Sequence, residues 1–132
     1  MLPMEINLPG PLAELTKAFR EYEAALVSNR PDVLDRLFLN SPLTVRYGVA
    51  ENLYGHADIS AYRSRGAQAG GAQRRKIMRE VITTFGNGVG TTNIEYVREA
   101  IGLAGRQSQT WIRTPDGWRI IAAHVSLARD KD

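Results

Sequence analysis

The sequence predicts an α+β fold, with helices gathered on one face of an antiparallel sheet. Three observations lead there. Apolar residues recur at helical spacing through 12–38, runs of β-forming residues broken by Gly, Asn and Pro turns fill 76–127, and 132 residues is one domain's worth of chain. A globular chain of this length buries about two-thirds of its unfolded surface, enough for a sizeable core. The expected organisation is a single domain over 1–132, with an N-terminal extension at 1–10 and a tail at 129–132.

The elements follow in order. Pro9-Gly10-Pro11 is a stop followed by a proline suited to the first helical position. From there to about residue 28, Leu12, Leu15, Phe19, Tyr22 and Leu26 form one apolar helical face. Pro31-Asp32 starts a second helix with the stripe Val33, Leu34, Leu37 and Phe38, and Asn40-Ser41-Pro42 ends it. Residues 43–47 read as a short strand, 48–52 as a turn, and Leu53-Tyr54 as its partner. A third helix covers 56–65 and stops at Gly66, with Ile59, Tyr62 and Arg63 on one side. The low-complexity stretch SRGAQAGGAQ, 64–73, reads as a flexible loop. A meander follows: 76–85, the turn Gly86-Asn87-Gly88, 89–99, a turn at 102–105, 106–113, the turn Thr114-Pro115-Asp116-Gly117, and 118–127. Asn-Gly is the strongest two-residue hairpin signal, and it accounts for the Gly86–Gly90 run without any phosphate loop, whose spacing and following helix are missing.

Composition excludes several function classes. Apolar residues at 43% and charged residues at 23% argue against disorder. With no cysteine there is no disulfide framework, thiolate nucleophile or sulfur-ligated zinc, and two histidines, His56 and His124, are too few for a three-histidine cage. No apolar run approaches the roughly 18 residues of a membrane span. The opening MLPMEINLPG carries Glu5 and no basic region, so it does not read as a secretory signal, and a cytoplasmic protein is expected. The net charge of +3 does not by itself call for nucleic acid. However, Arg63, Arg65, Arg74, Arg75, Lys76 and Arg79 crowd together with only Glu80 nearby. They form either a solvated basic loop or a mouth that attracts small anions. Nucleic acid would call for interleaved aromatics, and 64–79 has none.

Four places could carry chemistry. Tyr22 lies on the apolar stripe of the first helix, so it is either a core tyrosine with a satisfied hydroxyl or a phenol at the floor of a pocket. Arg46 shares a strand face with Thr44, opposite Val45 and Tyr47. It is either solvent-facing at a sheet edge or turned into a cavity, where its fork binds a carboxylate through two parallel hydrogen bonds. In the last strand Trp118, Ile120, Ala122, His124 and Ser126 share one face, which opens from core to polar cavity if it points inward. The alternative for His124 is a structural bond to backbone. Gln107, Gln109 and Trp111 share one face of the neighbouring strand, and Gln109 is favoured there as a neutral amide for a polar ligand. Arg63 could close the pocket mouth or remain solvated. A Ser-His-acid triad is weak, because Ser126 and His124 have neither an elbow nor a fixed carboxylate.

The order of elements, together with VRYGVAENLYGHADISAYR at 45–63, REVITTFG at 79–86 and GRQSQTWIRTPDGWRIIAAHVSL at 105–127, resembles the NTF2-like, or SnoaL-like, superfamily over 15–128. Within it these strings are similar to the HpxZ-like subgroup of oxalurate catabolism, and most of all to the AtzH-like proteins of bacterial cyanuric acid (s-triazine) degradation. The resemblance implies a cone: a strongly curved antiparallel sheet wrapped around three helices, with a pocket between its concave face and the first helix. It implies decarboxylation of 1,3-dicarboxyurea to allophanate without a cofactor or metal, with Tyr22 and Arg46 as the catalytic pair. Arg63, Gln109, His124 and Ser126 would then bind the small anionic substrate. Self-association through the convex face is also expected, with Ile121, Ala123, Val125 and Leu127 at the interface. Two alternatives stand beside this: a non-catalytic subunit that steadies a partner amidase, and a lyase or isomerase acting on another small acid.

Overall fold

The computed structural model describes residues 4–68 and 74–128. Three helices come first: α1 (Pro9–Val27), α2 (Pro31–Leu37) and, after a short hairpin, α3 (His56–Gln68). The hairpin strands are β1 (Val45–Tyr47) and β2 (Asn52–Tyr54), and the meander is β3 (Lys76–Phe85), β4 (Val89–Arg98), β5 (Leu103–Thr114) and β6 (Gly117–Leu127). The expected third helix runs past Gly66 into the expected loop, so 64–68 are helical, and 69–73 lie outside the described residues, as does the tail at 129–132. A glycine near a helix end costs only about 1 kcal/mol, which the rest of the helix can carry. The third meander strand also starts earlier than its turn signal indicated, at Leu103.

One six-stranded sheet runs in the order β2-β1-β6-β5-β4-β3. All pairs are antiparallel except β1 with β6, which is parallel and sets Arg46 beside Ala123. Apolar side chains from the helices fill its concave side. Leu15, Phe19, Tyr22 and Leu26 of α1, Leu34 and Leu37 of α2, and Ile59 of α3 meet Ile94, Tyr96, Trp111, Trp118 and Ile120 of the sheet in one core. The helical stripe in the sequence is therefore the packing face, at about 25 cal/mol per Å² of apolar surface removed from water. Among the described residues no helix is long and apolar enough to cross a membrane.

Two irregularities bend the sheet. The pairing of β3 with β4 slips between Ile77 and Arg79, leaving Met78 as an extra residue. That of β6 with β5 slips where Trp111 faces Ile120 and Thr110 faces Ala122, leaving Ile121 unpaired. A bulge bends a strand, increases its twist and reverses which side chains face in beyond it. The second of these decides the site.

Candidate active site

Along β6, Trp118 and Ile120 point into the core, as expected. Past the Ile121 bulge the parity reverses, so Ala123 is buried while Ala122 and His124 are exposed. The single inward face running from Trp118 to Ser126 does not exist. His124 lies on the outer face, where its ring meets Tyr47 edge-on at 5.7 Å between centroids, and Ser126 shares that side by alternation. Conversely, Ala123, Val125 and Leu127, expected at an outer interface, face inward, and the last two line a cavity.

That cavity, about 230 Å³, lies between α1 and the concave sheet. Tyr22 and Leu26 reach it from α1, Arg46 from β1, Val49, Ala50 and Glu51 from the β1–β2 turn, and Tyr62 and Arg63 from α3. Arg75, which precedes β3, Tyr96 and Arg98 of β4, Gln107 of β5, and Val125 and Leu127 of β6 complete the wall. The structure thus brings Tyr22, Arg46 and Arg63 together and leaves His124 and Ser126 outside.

Tyr22 is 1% exposed. Its hydroxyl oxygen accepts a hydrogen bond from Arg63 Nη2 at 2.6 Å. Its own O–H has no acceptor among the described residues and can donate to a guest in the cavity. Arg46 is 8% exposed and donates from Nη1 to Glu51 Oε1 at 2.9 Å. Its guanidinium also lies 5.4 Å from the Tyr62 ring centroid, within cation–π range. Burial by itself raises the Glu51 carboxyl, but hydrogen bonds from Arg46 and the Tyr62 hydroxyl, with the charge of Arg46, hold it below its usual value. Gly48 makes this possible: a Cβ there would fall on the Glu51 carboxyl group, which folds back over the turn.

Arg75 anchors the opposite wall. It donates from Nε to Glu23 Oε2 at 3.1 Å, from Nη2 to the other oxygen of Glu23, and from Nη2 to Gln107 Oε1 at 3.1 Å. Its guanidinium stacks 4.4 Å from the Tyr96 ring centroid. Burial opposes its charge, but the Glu23 carboxylate keeps it charged and raises its pKa. Tyr96 can sit flat there because its register partner is Gly105, where a Cβ would run into the ring.

By sequence, Arg75 belongs to a basic crowd and Gln109 is the amide favoured for the pocket. Arg65, Arg74, Lys76 and Arg79 of that crowd are exposed, whereas the Arg75 side chain is 2% exposed. Gln109 does face inward but lies in the core. Its Oε1 accepts from Thr92 Oγ1 at 2.9 Å, and Thr92 Oγ1 accepts from Trp111 Nε1 at 3.0 Å, so this chain occupies its carbonyl. Gln107, two residues along the same face, takes the cavity position.

The cavity is electropositive. Four guanidiniums line it, and only Glu51 among the lining residues is acidic, with Glu23 behind Arg75. Arg46 Nε, Arg63 Nε and Gln107 Nε2 are buried donors with no acceptor among the described residues. Unmet buried donors carry a desolvation cost that an anionic guest with several acceptor oxygens would relieve.

A model of the AtzH-like family matches residues 4–131. The chain belongs to the AtzH-like family. Among solved structures, an AtzH-like chain of this kind is similar to a protein of unknown function from the DUF3225 family of Pectobacterium atrosepticum, with 46% identity over 98% of this chain and 99% of that one and a TM-score of 0.90. It is also similar to a cystatin-like fold protein from Burkholderia xenovorans, with 44% identity over 97% and 99% and a TM-score of 0.87. An NTF2-like superfamily protein from Salmonella enterica serovar Typhimurium, 20% identical over 92% and 94% with a TM-score of 0.71, shares the fold. The AtzH-like fold is thus the α+β, NTF2-like one. Among curated proteins none matches the chain.

Proposed function

We propose that the cavity is the active site of a cofactor-free decarboxylase that converts 1,3-dicarboxyurea to allophanate. The observation that carries this reading is the Tyr22 hydroxyl, whose oxygen is held by Arg63 and whose proton has no acceptor among the described residues, inside a cation-rich cavity. The AtzH-like membership supports the same substrate class.

The chemistry needs little more. In the dianion a carboxylate carbon is bonded to a urea nitrogen. That C–N bond breaks, its electron pair stays on nitrogen, and carbon dioxide leaves. The nitrogen takes one proton, so the balance is dianion plus proton to monoanion plus carbon dioxide. Tyr22 donates that proton, directly or through water, and is reprotonated from solvent. Proton transfer from a positioned acid typically contributes about 10²–10⁴-fold. Arg46 holds a substrate carboxylate with its free Nε edge while Glu51 keeps the other edge in place. Arg63 and the Gln107 amide supply further donors.

The test is incubation of the purified chain alone with freshly generated, ¹³C-labelled dicarboxyurea, followed by carbon-13 NMR. Labelled carbon dioxide should appear faster than in buffer and should fall to the buffer rate in Arg46→Ala. Release that requires an added amidase would favour an accessory role instead.

A further inference from the structure

We propose that Arg98 selects a second carboxylate on the ligand, which makes the cavity a two-point receptor for short dicarboxylates. The inward face of β4 is Thr92, Ile94, Tyr96 and Arg98, spaced by two. The first three are buried, whereas Arg98, the last residue of the strand, is half-buried and lines the cavity. The other three lining guanidiniums are all engaged: Arg46 with Glu51, Arg75 with Glu23, and Arg63 with the Tyr22 hydroxyl. Among the described residues Arg98 has no ion pair and no side-chain hydrogen bond. Elsewhere the cavity wall includes the apolar side chains of Val125 and Leu127.

A guanidinium partly withdrawn from water, lacking a counter-charge and facing a cavity, is placed to take a carboxylate from a guest rather than from its own chain. A monoacid held deep by Arg46 leaves Arg98 unused. A diacid of the right length reaches both. The inference deepens the decarboxylase reading and rests on it for the seat of the first carboxylate, but its test needs no turnover.

The experiment is calorimetric titration of the purified full chain with malonate, succinate and glutarate, and with acetate and propionate as monoacid controls. At least one diacid should bind the native protein about tenfold more tightly than the monoacids, the scale of one charge-assisted contact. Arg98→Gln should remove that preference and leave monoacid affinity unchanged, and Arg98→Lys, which keeps the charge without the fork, should retain part of it. An undiminished preference in both variants, or none in the native chain, overturns the proposal. Diacid selectivity that is lost in Arg98→Gln, without carbon dioxide release, would leave Arg98 standing and remove the decarboxylase. Carbon dioxide release by the native protein, together with a diacid preference that is undiminished in Arg98→Gln, would do the reverse.

Discussion

The hydroxyl of Tyr22, on α1, takes its hydrogen bond from Nη2 of Arg63, on α3, at 2.6 Å and 41 residues away in the chain. Arg63 is 8% exposed, and the one hydrogen-bond partner of its side chain among the described residues is this neutral oxygen. A buried cation without a counter-charge is a cost to folding that function sustains. Arg63→Met should therefore melt no lower than the native chain while losing dianion binding. Thermal unfolding and a binding titration check both halves, and a melting point several degrees lower would contradict the first.

Arg75 and Glu23 predict the opposite. Their side chains are 2% and 12% exposed, and each satisfies the other. Removing one partner of a buried pair typically costs about 3–5 kcal/mol, because a charge is stranded. Glu23→Gln should lower stability on that scale, measured by denaturant unfolding. Glu23→Leu combined with Arg75→Met should recover much of the loss.

Glu51 makes stability depend on acid. Its folded-state pKa lies below the ordinary 4.5, through Arg46 and Tyr62 acting against burial. A depressed carboxyl contributes stability that is fully present above the unfolded value and lost as pH falls through the folded one. Melting curves of the native chain should thus fall away below about pH 4.5 more steeply than those of Glu51→Gln. Superimposable acid limbs would contradict the Arg46–Glu51 pair.

His124→Ala and Ser126→Ala should leave turnover within about twofold of native, as surface changes away from a site do. Steady-state rates on the proposed substrate check this. A hundredfold loss in either would mean that the strand faces inward past Ile121.

Much of this arrangement can be read from residue spacing. The 3.6-residue stripe on α1 brought Tyr22 to the core, and alternation put Arg46 on the opposite strand face from Tyr47, but only the fold shows that the arginine's face is the buried one. Alternation failed on β6 because a single unpaired residue, Ile121, reverses it, and an isoleucine in a run of strand formers gives no sign of a bulge. Arg75 was obscured for another reason. Its carboxylate is 52 residues away on α1, so the charge that buries it is absent from its sequence neighbourhood. Arg98 was within reach of the same alternation that singled out Arg46 as a candidate, since it lies two residues past Tyr96 on one strand face.

The measurement that bears most directly on the account is the rate of carbon dioxide release from dicarboxyurea by Tyr22→Phe, which removes one oxygen from the cavity and leaves the ring packed against Phe38. With the fold intact by circular dichroism, kcat should drop by about 10²–10⁴ while KM stays near the native value, as expected when an acid that works only in the transition state is lost. A Tyr22→Phe protein that turns over at the native rate would contradict the claim that this phenol delivers the proton.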